Sequence, residues 1–204
     1  MEIWDAQGKP VEVRLHQSEG SKVLVVFPGA GYNPDKPLLY YLRKLALALG
    51  YDCLEVWRSY NTPDFQALSP EEATARVIRD AEVVAGAVIE AYRERVWAGK
   101  SIGTVALSAV VANSQCAGDP SLWLTPVISH PGVFQALAKS PKALIVAGSS
   151  DPYLDLEALA RLQEVQSLIF EGADHSLEVA DPHHSLKILA EAIAGIDHFL
   201  RQLF

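Results

Sequence analysis

Gly99-Lys100-Ser101-Ile102-Gly103 sets a serine between two glycines, at the junction of two apolar segments. A serine hydroxyl is a weak nucleophile. To attack a carbonyl it must project from its backbone toward both a base and the substrate. A sharp strand-to-helix turn gives that projection, and glycines two residues to either side let the turn pack closely. The flanks fit, with 95–98 reading as a strand and 105–112 as an apolar, glycine-poor helix. Two other loops carry complementary groups. Asp151 lies in Gly148-Ser149-Ser150-Asp151-Pro152, and His175 in Gly172-Ala173-Asp174-His175-Ser176. Each follows an apolar run, as Ser101 does, and the chain order is Ser, Asp, His.

The elements that must position them alternate. Residues 2–16 read as a hairpin: Val11, Val13 and Leu15 alternate with Glu12, Arg14 and His16 after a Gln7-Gly8-Lys9-Pro10 turn. The continuous apolar run 22–27 fits a strand covered on both faces. It ends in Pro28-Gly29-Ala30-Gly31, and a helix over 37–49 stops at Gly50. Strands are predicted at 52–57, 122–128, 143–147 and 168–170, and short helices near 133–138 and 156–162. Ser69-Pro70-Glu71-Glu72 starts a helix with a capping box, and Val77, Ala81, Val84, Val88 and Ala91 mark its apolar face. Leu186, Leu189, Ile193, Ile196, Leu200 and Leu203 mark the face of a last helix. Alternating strands and helices predict an α/β fold, a doubly wound, mostly parallel sheet with an antiparallel N-terminal hairpin and helices on both faces. Such sheets bind ligands beyond the carboxyl ends of their strands, where all three loops fall.

The 204 residues, 50% hydrophobic and 21% charged, suit one globular domain over 1–204. The net charge of −8, with no basic run, argues against nucleic acid and anionic membrane as partners. No signal peptide is read at Met1-Glu2-Ile3-Trp4-Asp5, and no apolar stretch is long enough to span a bilayer. Cys53 and Cys116 read as buried free thiols of a cytoplasmic protein.

On these residues and this order of elements, the chain resembles the α/β-hydrolase superfamily over nearly its whole length. It is most similar to small, lidless members with a G-K-S-x-G elbow, including those like dienelactone hydrolases. The resemblance implies that Ser101 is the nucleophile and His175 the general base. Asp151 would orient His175 and stabilise the imidazolium. The oxyanion hole would use the Ile102 N–H and a second donor at Ala30 or Gly31. Many relatives have a second glycine after the elbow, where this chain has Thr104, and His-Gly at the oxyanion turn, where it has Pro28-Gly29. A cap domain does not fit between Ser101 and Asp151, which predicts an open cleft for a small or exposed acyl substrate. The expected activity is hydrolysis of a small carboxylic ester or thioester, without cofactor or metal. Acyl transfer, and a non-catalytic binding module on the same fold, are the alternatives. Tyr32, Arg58, Tyr60 and His130 follow strands and are candidates to contact substrate; Arg58 alone among them could recognise an anion.

Plainer readings stand beside these. Gly99-Lys100-Ser101 could end a phosphate-binding loop, but Glu94 stands where that motif needs its first glycine. Asp151 could be a helix cap, leaving Asp155 or Asp174 as the acid. His183 and His184, with Asp174 and Asp181, match no zinc spacing. Oligomeric state is not legible.

Overall fold

The computed structural model describes residues 3–4, 10–162 and 165–203. The antiparallel start is shorter than the alternation predicts. Strand β1 (Ile3–Trp4) pairs with β2 (Pro10–Val11) in a small sheet of its own. β3 (Val13–His16) leaves them and joins the main sheet. Residues 7–9 of the expected turn lie outside the described residues.

The main sheet adds β4 (Lys22–Phe27), β5 (Tyr51–Val56), β6 (Glu94–Lys100), β7 (Ser121–Leu124), β8 (Ala143–Gly148) and β9 (Gln166–Phe170). Their order is β3-β5-β4-β6-β7-β8-β9. Only β3 runs antiparallel, against β5. β7 is shorter than the apolar run 122–128. Thr125 has φ 43, and Pro126 has no N–H for the ladder, so pairing stops at Leu124.

The described helices are α1 (Pro37–Ala48), α2 (Pro63–Gln66), α3 (Pro70–Ala91), α4 (Gly103–Ala112), α5 (Pro131–Leu137), α6 (Leu156–Ala160) and α7 (Pro182–Arg201). Alternate side chains of β4, β6, β7 and β8 serve two cores. Val23, Val25, Phe27, Trp97, Trp123 and Ile145 pack with α3, α4 and α5. Leu24, Val26, Ala98, Leu122, Leu124 and Val146 pack with α1 and α7. Burial on both faces is why these strands are continuous apolar runs rather than alternating ones. The Ser69 capping box forms: the hydroxyl accepts from the Glu72 N–H, and the Glu72 carboxylate accepts from the Ser69 N–H.

The short helix α2 is not legible as periodicity; Thr62 caps it and Pro63 starts it. In α7 the buried face is Ile188, Ala192, Ile196, Phe199 and Leu200. Leu186, placed on the core stripe by its spacing, is 64% exposed. The apolar arc of α7 is wider than one stripe, and the sheet covers only part of it.

Candidate active site

Four loops meet at the carboxyl edge of the sheet, and each is built for close approach. The first leaves β6. Ser101 has φ 55, the left-handed region, where a side-chain-bearing residue is strained by on the order of 1–3 kcal/mol. Its N–H donates to the Leu124 carbonyl at 3.0 Å. A Cβ on Gly103 would lie 2.3 Å from the Phe27 carbonyl oxygen, and one on Gly99 would lie 2.4 Å from the Gly103 carbonyl oxygen. Both glycines of the pentapeptide are therefore steric requirements of the turn. Thr104, which stands one residue beyond the pentapeptide, is buried and bonded. Its hydroxyl donates to the Ser101 carbonyl at 2.6 Å and accepts from the Val127 N–H at 3.2 Å. It ties the elbow to the loop after β7.

These contacts predict opposite outcomes for one substitution at two sites. Gly103→Ala drives a methyl into backbone and is expected to lower stability by on the order of 3 kcal/mol. Gly86→Ala, in the exposed face of α3 with nothing within 4 Å of the added carbon, is expected to raise it by about 0.5–1 kcal/mol. Urea unfolding midpoints of the two variants check the signs; equal shifts would refute the steric account.

The second loop follows β8. A Cβ on Gly148 would sit 2.0 Å from the Ala173 carbonyl oxygen, so this loop and the histidine loop touch through backbone. The Asp151 side chain is fully buried. The third loop follows β9 and turns at Gly172 (φ 72) and Leu177 (φ 64). His175 comes from it. With Nδ1 protonated, the ring donates from Nδ1 to Asp151 Oδ2 at 2.8 Å, and its Nε2 accepts from Ser101 Oγ at 2.8 Å. Asp151 Oδ1 accepts from the Tyr153 N–H at 2.9 Å, and the Tyr153 ring meets the imidazole edge-on at 4.9 Å between centroids.

The other acids are occupied elsewhere. Asp155 caps α6 at the Ala158 N–H, and Asp174 accepts from the Ser176 and Glu178 N–H groups. Asp181 caps α7 at the His183 N–H.

The fourth loop, Pro28-Gly29-Ala30-Gly31, follows β4. A Cβ on Gly29 would lie 3.4 Å from Ser101 Cβ, so this turn runs directly beside the serine. The N–H groups of Ile102, Ala30 and Gly31 have no acceptor among the described residues. Ile102 stands at the N-cap of α4, where unpaired N–H groups and the helix dipole favour negative charge.

Two open depressions flank this edge. One, of about 320 Å³, is lined by Ala30, Gly31, Asn33, Trp57, Arg58 and Ser59. The other, of about 510 Å³ and more apolar, is lined by Tyr32, Tyr41, Leu177, Val179, Leu186 and Leu189 among others. Residues 102–150 hold only α4, β7, α5, β8 and their loops, so no cap arises there.

The four expected substrate contacts separate. Tyr32 lines the apolar depression, though its hydroxyl accepts from the Leu38 N–H and burial raises its pKa. Arg58 lines the polar one, but its guanidinium forms a two-point ion pair with Asp80 at 2.9 and 3.1 Å. Its charge is already matched, which weakens the anion reading. Tyr60 does not face a cleft: it is 3% exposed and its hydroxyl donates to Asp80. Burial and the Asp80 carboxylate push its pKa up. His130 lines neither depression. It is the N-cap of α5, with Nδ1 buried against Gly132 and without a hydrogen-bond partner among the described residues, and burial lowers its pKa.

Sequence reasoning missed Lys100, Thr125 and Tyr153. Lys100 carries a signal, a lysine at the end of an apolar strand, but the sequence reads it only as a letter of the G-K-S-x-G elbow or of a phosphate loop, with no role of its own. It is 1% exposed, and burial lowers its pKa to about 8 against the opposing pull of Asp151 and Asp174.

No family model and no curated protein matches the sequence. Solved structures do match the fold. An α/β serine hydrolase without lid from Xanthomonas campestris is 15% identical, over 99% of this chain and 93% of that one, with a TM-score of 0.70. An α/β serine hydrolase homologue from Coxiella burnetii is 17% identical, over 96% and 95%, at 0.69. An esterase from Pyrococcus furiosus is 12% identical, over 99% and 91%, at 0.73. The chain therefore has the α/β-hydrolase fold, and the resemblance to lidless members holds at the level of the fold.

Proposed function

We propose that this chain, as one α/β-hydrolase unit over residues 1–204, is a serine hydrolase that cleaves small carboxylic esters through an acyl-enzyme. The observation that carries the reading is the unbroken hydrogen-bond chain from Ser101 Oγ through His175 to a buried Asp151, each link 2.8 Å. The N–H groups of Ile102, Ala30 and Gly31, which have no acceptor among the described residues, support it further. Ser101 Oγ attacks the ester carbonyl while His175 Nε2 takes its proton. Asp151 holds the ring in the tautomer that leaves Nε2 free to accept, and stabilises the imidazolium. The carbonyl oxygen, now negative, is held by the N–H of Ile102 and of Ala30 or Gly31. His175 then protonates the departing alcohol as the carbon–oxygen bond breaks. Water repeats the sequence on the acyl-enzyme and releases the acid. No metal or cofactor enters this scheme.

The open depressions suit a small substrate or an acyl group exposed on a larger one. Two buried free thiols, Cys53 and Cys116, support a cytoplasmic setting. No described helix is long and apolar enough to cross a membrane. That structural neighbours such as the Pyrococcus furiosus protein are esterases supports an ester substrate. Labelling by a fluorophosphonate probe tests the proposal: wild type is expected to label, and Ser101→Ala and His175→Ala are not. A folded wild type that does not label would overturn it.

A further inference from the structure

We infer that Lys100 is a positioning residue of this site: it grips the His175 loop by its backbone carbonyl and so sets the imidazole against Ser101. The inference rests on the hydrolase reading above. Lys100 Nζ donates to the His175 carbonyl oxygen at 2.7 Å and to the Thr125 hydroxyl, and lies 4.9 Å from the centroid of the Tyr32 ring. Its stem passes beside the turn after β4, where a Cβ on Gly29 would be 3.6 Å from Lys100 Cγ. Lys100 is the last residue of β6, and Thr125, His175 and Tyr32 come from the loops after three other strands, β7, β9 and β4. One ammonium thus braces the edge on which the chemistry depends.

A purely structural filler would not be a lysine. Burying an ammonium is costly, and an apolar chain of similar length fills the space without that cost. Thr125 points the same way. A β-branched residue at φ 43 is a genuine outlier and persists where its surroundings demand it. Here its hydroxyl is the second acceptor for Nζ.

Charge makes the grip pH-dependent. The charged groups that act on Nζ are Asp151 and Asp174, both favouring the ammonium, against the burial that disfavours it. Below about pH 8 the ammonium is intact. As pH rises through that value the proton leaves and the bond to the His175 carbonyl weakens. Stability moves the other way. A lysine whose folded pKa is depressed makes the fold more stable as pH rises from about 8 toward its ordinary 10.5.

Lys100→Met tests the inference. A displaced imidazole is expected to cost on the order of 100-fold in kcat, with KM little changed and fluorophosphonate labelling slowed in parallel. The melting temperature is expected to stay level or rise. Wild-type kcat is expected to fall as pH rises through about 8, and Lys100→Met is expected to lack that fall. Thr125→Val, which removes only the second acceptor, is expected to move kcat the same way by a smaller factor. The His175 imidazole NMR signals report the grip without turnover, and both variants are expected to shift them. Unchanged imidazole signals in both folded variants, or wild-type kcat in folded Lys100→Met, would overturn the inference. A wild type that neither labels nor hydrolyses, with imidazole signals that still move, would overturn the hydrolase reading alone.

Discussion

Ser101→Ala is expected to lower kcat on a small activated ester by about 10⁵- to 10⁶-fold while leaving the melting temperature within a few degrees of wild type. The size follows from what the hydroxyl does: without Oγ no acyl-enzyme forms, and only binding and the oxyanion donors remain to act on a passing water. In free energy the loss is about 7–8 kcal/mol of transition-state stabilisation, at roughly 1.4 kcal/mol per decade. His175→Ala is expected to cost nearly as much, since an unassisted serine is no nucleophile at neutral pH. The double variant should be scarcely worse than either single one, because the groups act as a unit. Initial rates of the three proteins, with unfolding curves alongside, decide the point. Turnover by Ser101→Ala within tenfold of wild type would remove Ser101 from the mechanism.

Asp151→Asn is expected to cost about 10⁴-fold in kcat. The side chain is fully buried and both carboxylate oxygens are committed, Oδ2 to His175 and Oδ1 to the Tyr153 N–H. An amide can keep the bond to Tyr153 through its carbonyl oxygen. It then offers N–H where the ring needs an acceptor, and the imidazole answers by moving its proton to Nε2. That nitrogen would donate toward Ser101 instead of accepting from it. Shape and volume barely change, so the loss should appear in kcat with little change in thermal stability. Neither neighbouring acid can substitute, because Asp155 and Asp174 are held by backbone N–H groups. Asp174→Asn is the control. If it cost more activity per folded molecule than Asp151→Asn, the acid would have been misassigned.

Much of the frame was legible because two-sided burial writes itself as apolar runs. The runs at 22–27 and 143–147 are such strands, and the loops that follow them carry the polar groups. The elbow was legible because its glycines answer to steric need: Gly99 and Gly103 have no room for a side chain. Less legible were features set by partners distant in sequence. Val13–His16 alternates as a hairpin strand would, yet its partner is β5, nearly forty residues on. Tyr60 follows a strand as a substrate contact would, but Asp80 on α3 claims it. Lys100 could not be understood from its own segment, since what explains it is a carbonyl 75 residues away. Leu186 sits on a helical stripe whose core-facing half is chosen by the sheet beneath it.

Nothing in residues 102–150 folds over Ser101. An acyl group attached there would stand in contact with bulk solvent on one side throughout its lifetime. Its fate would then be a matter of partitioning. Water is always at hand, and any alcohol or thiol that reaches the same face competes with it on concentration and fit alone. With no cap in residues 102–150, product departure needs no rearrangement of that segment. Under the proposed mechanism, the surfaces left to distinguish acyl acceptors are the two depressions at this edge, polar on the Arg58 side and apolar on the Leu189 side.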